Sequence, residues 1–258
     1  MDITIDPVAF SIGGITVRWY GIFVMLAIVT LILWTLNAVR KGKADISYNT
    51  VFNAAIVGIP SGIVGARLFH VADHWSQYSQ NPISIIGGDG LAIYGAVLGA
   101  ALGIWIYSRF SRETNFGYLA DVLAPGVILA QAVGRVGCLI NGCCYGDYCD
   151  LPWALSYTGP GHPFLIASVH PTQLYEIIYN LIIFGVLLSL RGRFRPAGAL
   201  FAIYLTFYSL WRFGIDFIRE GTPFLFGLHE AQVIALVVLA ITLTFIVWKV
   251  RPVEKDSV

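Results

Sequence analysis

The chain has 258 residues, 57% of them hydrophobic and only 12% charged, with a mean hydropathy of +0.73. Soluble domains run at about 45–50% apolar and about 25% charged, so the composition excludes a soluble globular protein and indicates a polytopic membrane protein. The net charge of +1 excludes nothing by itself; the distribution of charge along the chain is far more informative.

The chain opens Met1-Asp2-Ile3-Thr4-Ile5-Asp6, without the basic stretch that precedes the apolar core of a cleaved signal, so the first helix is expected to be retained. Apolar stretches long enough to cross a bilayer follow at 20–39, 50–71, 91–107, 118–140, 172–190, 198–217 and 231–248. The fold class expected is therefore an all-α polytopic membrane protein of about seven transmembrane helices, forming a single transmembrane domain over 1–258. Pro60 and Pro125 are expected to interrupt the second and fourth spans, and Arg67, Asp121 and Arg135 lie inside them. Polar spans of this kind face protein or a wet cavity, not lipid. The longest connection, 141–171, is rich in Gly and Pro and is expected to cap a site.

Basic residues collect in cytoplasmic loops. Arg40, Lys41 and Lys43 follow the first span, Arg109 and Arg112 the third, Arg191, Arg193 and Arg195 the fifth, and Lys249, Arg251 and Lys255 the seventh. All four places fall on one side of a seven-span chain, which puts the N-terminus outside and the C-terminus in the cytoplasm. The other five, Arg18, Arg67, Arg135, Arg212 and Arg219, map to the outer half, and none of the lysines joins them. Snorkelling at an interface would draw on Lys as well as Arg, whereas a planar fork of donors suits bidentate binding of phosphate or carboxylate. The set points to a phosphate-binding chamber facing the outer leaflet, where the phosphates are phospholipid headgroups.

In the sixth span, Arg212, Asp216 and Arg219 are spaced i, i+4 and i+7 and so share a helical face. One acid between two bases can lock a guanidinium while leaving net positive charge for a ligand. Arg67, His70 and His74 also share a face, but no further ligands for a metal can be placed, and these histidines are read as structural. His170 and Glu176, at the start of the fifth span, are read as a structural cap.

The run Gly134–Gly146 (GRVGCLINGCCYG) carries Arg135, a cation in the membrane and so a functional-site candidate. Its glycines permit tight turns and close backbone approach, and glycine-rich backbone beside a cation can cradle an anion. Cys138, Cys143, Cys144 and Cys149 all fall in one window. Their spacing matches no zinc pattern built on C-x2–4-C pairs, and no metal site or cofactor is expected. A local disulfide joining Cys143 or Cys144 to Cys149 or Cys138 is expected instead, with a nucleophilic thiol activated by Arg135 as the other reading.

With these residues in place, the chain resembles the prolipoprotein diacylglyceryl transferase family over nearly its whole length. The resemblance rests on Phe10-Ser11-Ile12-Gly13 with Arg18-Trp19-Tyr20-Gly21, on Gly65-Ala66-Arg67, and on Gly90-Leu91-Ala92-Ile93-Tyr94-Gly95. It continues through Gly134-Arg135-Val136-Gly137, Asn141-Gly142 and Gly146, His170-Pro171-Thr172-Gln173-Leu174-Tyr175-Glu176, and Trp211-Arg212-Phe213 to Arg219. It implies a multi-pass enzyme of the bacterial cytoplasmic (inner) membrane, N-terminus outside, with its active site toward the outer leaflet. Such an enzyme moves the diacylglyceryl group of phosphatidylglycerol to the lipobox cysteine of a preprolipoprotein signal peptide. The partners implied are therefore phosphatidylglycerol, lipobox peptides and membrane lipids, with no nucleic acid.

Carried onto this sequence, Arg135 and Arg212 would bind the headgroup phosphate and stabilise the departing phosphate. Tyr20 and Tyr94 would orient the headgroup or relay a proton. Asn141, Gly142, Gly146, Arg67, Asp216 and Arg219 would complete the phospholipid site. The sequence departs from the family pattern at Tyr94, where a histidine is usual, at Cys138, usually asparagine, at Cys143, commonly an acid, and at Asp216, usually glutamate. A tyrosine with an ordinary pKa near 10 is a poor base at neutrality, so the base is elsewhere or none is essential. Two other classes compete: a membrane transporter or binding protein for an anionic or lipid solute, and a cysteine-based redox protein. The chain lacks the paired repeats common in transporters.

Overall fold

The computed structural model describes residues 2–85, 90, 92–111, 114–159, 166–219, 221 and 223–253. Arg112, Lys255, Leu91 and residues 160–165 of the expected cap lie outside them. The helices are α1 (Trp19–Arg40), α2 (Tyr48–Asp73), the single turn α3 (Trp75–Tyr78), α4 (Ile93–Phe110), α5 (Phe116–Asn141), α6 (Thr172–Leu190), α7 (Ala199–Ile215) and α8 (Glu230–Lys249). Six of them are long and apolar enough to span a membrane. The remaining long helix, α7, has 17 residues and is extended by a 3-10 turn over Asp216–Ile218. The chain is a multi-pass membrane protein.

Each long helix lies within about three residues of an apolar stretch in the sequence, because a window of some 20 apolar residues is a strong helix signal in lipid. The prolines behave differently from expectation. Both α2 and α5 run unbroken through Pro60 and Pro125. Neighbouring helices and local adjustment satisfy the freed carbonyls in a membrane, so proline there need not end a helix. Large side chains such as Met25, Ile56, Leu68, Val97 and Ile241 are exposed on the helix surfaces, as expected of faces turned to lipid.

The contacts divide the chain into two units, one of residues 1–34 and 120–258, the other of residues 35–119. In the second unit, α2 packs on α4 through small residues. Added methyl groups at Gly65, Gly95 and Gly99 would collide with the backbone of the facing helix, so these positions admit only glycine, as in small-residue helix crossings in membranes. Ser47 caps α2 by accepting from Thr50 N at 3.0 Å.

In the first unit, α5, α6 and α7 close around Ala124, Ile128, Ile183, Leu187, Leu200 and Tyr204. Asp121 of α5 accepts from Gly198 N (2.7 Å) and Phe201 N (2.8 Å). It thereby places a carboxylate on the positive N-terminus of α7, where a negative charge is favourable. The strands are short. The first, β1 (Asp2–Ile3), pairs in parallel with β4 (Leu155–Tyr157), which pairs antiparallel with β5 (Ile166–Val169). Leu155, Tyr157 and Val169 give this small sheet its own apolar core, against Leu139 and Leu174. A hairpin of β2 (Val8–Ile12) and β3 (Ile15–Arg18) leads into α1. The last pair, β6 (Phe194–Arg195) with β7 (Arg251–Pro252), ties the connection before α7 to the segment after α8.

Candidate active site

Three arginines from two helices converge on two buried carboxylates. Arg135, near the end of α5, places Nε 2.5 Å from Glu176 Oε2. From α7 and the turn after it, Arg212 NH1 and Arg219 NH1 lie 3.8 and 4.0 Å from Glu176 Oε1. Asp216 faces the same pair, with Oδ1 3.1 Å from Arg212 NH2 and 3.9 Å from Arg219 Nε. His229, which precedes α8, brings Nδ1 to 3.4 Å from Asp216 Oδ2. Glu176 and Asp216 are 2% and 3% exposed. At that burial a charge is tolerable only when paired, which explains why the carboxylates sit among guanidiniums.

Among the described residues, three cations against two anions leave one positive charge, leaving His229 aside. Arg212 NH1, Asn141 Oδ1 and His170 Nδ1 are buried without a hydrogen-bond partner among the described residues. A cavity of about 300 Å³ opens beside the network, lined by Asp147, Asp216, Phe217, Arg219, His229 and Gln232 among others. Next to Glu176 and Arg212 in sequence, Tyr175, Ile178, Tyr179, Ile182 and Trp211 line an apolar groove of about 230 Å³. There Tyr179 and Trp211 stack at 4.3 Å.

The segment after α5 is folded tightly over this network. Gly142 and Cys144 both take positive φ (65° and 63°), turning the chain back on itself. Thr172 Oγ1 donates to Cys144 O at 2.5 Å, and Gln173 Nε2 to Cys143 O at 2.7 Å. Gly146 N donates to His170 O and Asp147 N to Ile218 O, so the turn is pinned to the start of α6 and the end of α7. A methyl group at Gly146 would meet Ile218 O, His170 Cβ and Thr172 Cγ2. Gln173 also donates to the Tyr157 hydroxyl at 3.1 Å, and burial raises the pKa of that phenol.

All four cysteines are free, so the disulfide expected from the sequence is not formed. Three of them are nevertheless gathered: the sulfurs of Cys138, Cys143 and Cys144 lie within 4.8 Å of one another. Arg135 NH1 is 3.9 Å from Cys138 Sγ. Tyr20, at the start of α1, is close enough to these thiols and to Arg135 to feel their charge.

A membrane-embedded arginine cluster with a tight glycine-rich turn is what the sequence resemblance leads one to look for, and comparison with known proteins decides the matter. The sequence profile of prolipoprotein diacylglyceryl transferases matches residues 7–248. The chain belongs to the prolipoprotein diacylglyceryl transferase family. It is 47% identical over 252 residues to the phosphatidylglycerol–prolipoprotein diacylglyceryl transferase of Dehalococcoides mccartyi, a match that covers 97% of this chain and 96% of that one. It is 40% identical to the Clostridioides difficile enzyme of the same name, covering 90% of each. The Symbiobacterium thermophilum enzyme is 38% identical, with 98% and 96% covered.

Of the residues singled out in the sequence of this family member, Arg135, Arg212, Asp216 and Arg219 come together in the ion network. Asn141, Gly142 and Gly146 lie in the turn over it. Arg67 and Tyr94 belong to the second unit. There Arg67 donates from Nε to Ile85 O (2.9 Å), from NH1 to Gly90 O (3.0 Å) and from NH2 to Ser84 O (2.7 Å). It also lies 5.2 Å from the Tyr78 ring. That is the work of a loop anchor. Tyr94 is the second residue of α4.

Sequence reasoning missed two members of the network. Glu176, read as a cap, makes no capping hydrogen bond to α6 and is instead the shared counterion of three arginines. The signal was present: a carboxylate inside an apolar span falls under the same rule that singled out Arg135. His229 drew no attention because it lies outside the spans, and nothing in its local sequence predicts the approach of Asp216.

Proposed function

We propose that this chain transfers the diacylglyceryl group of phosphatidylglycerol to the lipobox cysteine of preprolipoproteins, the first step of bacterial lipoprotein maturation. The observation that carries the reading is the convergence of Arg135, Arg212 and Arg219 on Glu176 and Asp216, with one positive charge in excess. A phosphodiester headgroup is a monoanion and matches that excess. The names of the relatives supply the same donor and acceptor.

In this mechanism the lipobox sulfur, having lost its proton, attacks the glyceryl carbon that bears the phosphate ester. The S–C bond forms as the C–O bond breaks, giving a thioether and glycerol phosphate. Arg135 and Arg212 hold the phosphate and meet the charge that grows on the departing oxygen, a preorganised electrostatic contribution. Glu176 and Asp216 fix the guanidiniums, and Arg219 extends the positive field. Asn141, Gly142 and Gly146 shape the turn that covers the headgroup. Tyr20 orients it from α1. Arg67 acts as a loop anchor. The apolar groove along Tyr175, Tyr179 and Trp211 suits an acyl chain of the donor.

The whole of 1–258 serves as one transferase domain, with 141–171 as an outer-face cap. The enzyme sits in the bacterial inner membrane with its N-terminus outside, its C-terminus cytoplasmic and its site toward the outer leaflet. The positions of the basic loops support that orientation.

The test is Arg135→Ala, assayed as transfer from phosphatidylglycerol to a lipobox peptide. The expected result is a loss of at least about 10²–10³ in rate by a variant that still inserts into the membrane. Near-normal transfer by a well-expressed Arg135→Ala protein overturns the mechanism.

A further inference from the structure

The transferase reading leaves the three clustered thiols without a task. Cys138 ends its helical turn on α5, and Cys143 and Cys144 return to it across the reversal at Gly142. Cys143 N donates to Cys138 O at 3.2 Å, and Cys144 sits at φ 63°, a left-handed conformation that costs a non-glycine residue about 1–2 kcal/mol. The carbonyls of both residues are held by Gln173 and Thr172, which are fully buried. Three sulfurs are thus fixed by the backbone at mutual distances of no more than 4.8 Å.

We propose that Cys138, Cys143 and Cys144 form a binding site for one thiophilic d10 metal ion of the zinc class, held by three thiolates. A zinc–sulfur bond is about 2.3 Å, so three thiolates around one ion stand about 4 Å apart. The sulfurs need close by less than about 1 Å to reach that spacing. Arg135 directs NH1 at Cys138 Sγ, 3.9 Å away.

Thiols placed only as small apolar groups would gain nothing from standing beside a guanidinium. Cys149 is buried and lies outside the group of three. It serves as an internal control.

The experiment uses the full-length protein, reduced and purified in detergent, titrated with Cd2+ in the absence of lipid and peptide. The expected result is an ultraviolet thiolate-to-cadmium charge-transfer band that saturates at one equivalent and is displaced by Zn2+. Cys138→Ser, Cys143→Ser and Cys144→Ser each weaken binding about tenfold or more, and Cys149→Ser leaves it unchanged. In the unmodified protein, where folding of variants is not at issue, one equivalent of Cd2+ slows maleimide labelling of Cys138, Cys143 and Cys144 but not of Cys149. Absence of the band together with unprotected thiols overturns the proposal, as does a band that survives all three substitutions. Because no lipid or peptide takes part, either result leaves the transferase reading where the Arg135→Ala assay puts it.

Discussion

Replacing Glu176 by Gln tests whether the carboxylate organises the arginines. The substitution keeps the shape of the side chain and removes one charge. In the native network Glu176 is 2% exposed, and its oxygens lie 2.5, 3.8 and 4.0 Å from Arg135, Arg212 and Arg219. After the change, Asp216 alone opposes three guanidiniums, and the excess rises from one positive charge to two. Removing one partner of a buried ion pair costs about 3–5 kcal/mol, because the remaining charge stays desolvated. For a chain of this size that lowers the midpoint of thermal unfolding by roughly 10 °C. Arg135 also loses the contact that aims it. The expected kinetic result is a fall in kcat of about 10²–10³, with a smaller change in KM because two arginines still attract the headgroup. Both quantities are measured on detergent-purified protein, by thermal unfolding and by glycerol phosphate release with a lipobox peptide. A Glu176→Gln enzyme with native melting and native kcat refutes the argument.

Other substitutions separate chemistry from architecture. Tyr94→Phe is expected to keep transfer within about tenfold, whereas general acid–base catalysis is worth about 10²–10⁴; a loss in that range identifies its hydroxyl as the proton carrier. Gly146→Ala introduces a methyl group against Ile218 O and His170, an overpacking penalty of about 1–3 kcal/mol. Its expected signature is a lower melting temperature, and unchanged melting with lost phosphatidylglycerol binding contradicts that account. Asp121→Ala removes the carboxylate that accepts from the first amides of α7, at a cost of about 1 kcal/mol. Melting falls by a few degrees while transfer per folded molecule is unchanged.

The helices were legible because a bilayer demands long apolar segments, and α6 begins and ends at the residues read from the sequence. The prolines misled because a rule taken from water, where a lost helical hydrogen bond is seldom replaced, was applied to spans whose neighbours replace it. Within the site, Arg212, Asp216 and Arg219 were legible from helical spacing alone, since they share one short stretch. Glu176 was not, because its partner Arg135 lies on a different helix 41 residues earlier in the chain. The thiols show the same limit. Their spacing resembles no metal motif, and only the reversal at Gly142 and Cys144 brings Cys138 against the other two.

The charge count also bears on the direction of the reaction. A lipobox thiolate and a phosphodiester each bring one negative charge, and the reaction gathers both on glycerol phosphate. The network's single excess positive charge matches the bound phosphodiester, and it matches only half of the product's charge once the C–O bond has broken. Interactions that strengthen as the departing oxygen becomes anionic accelerate the chemical step, and Arg212 NH1, buried without a hydrogen-bond partner among the described residues, is the donor placed to supply one. A site with both acids replaced by amides would carry three positive charges, more than the two negative charges of the product, and would bind that dianion more tightly than the donor. On this argument the two carboxylates hold the arginines in place and also keep the site from retaining what it makes.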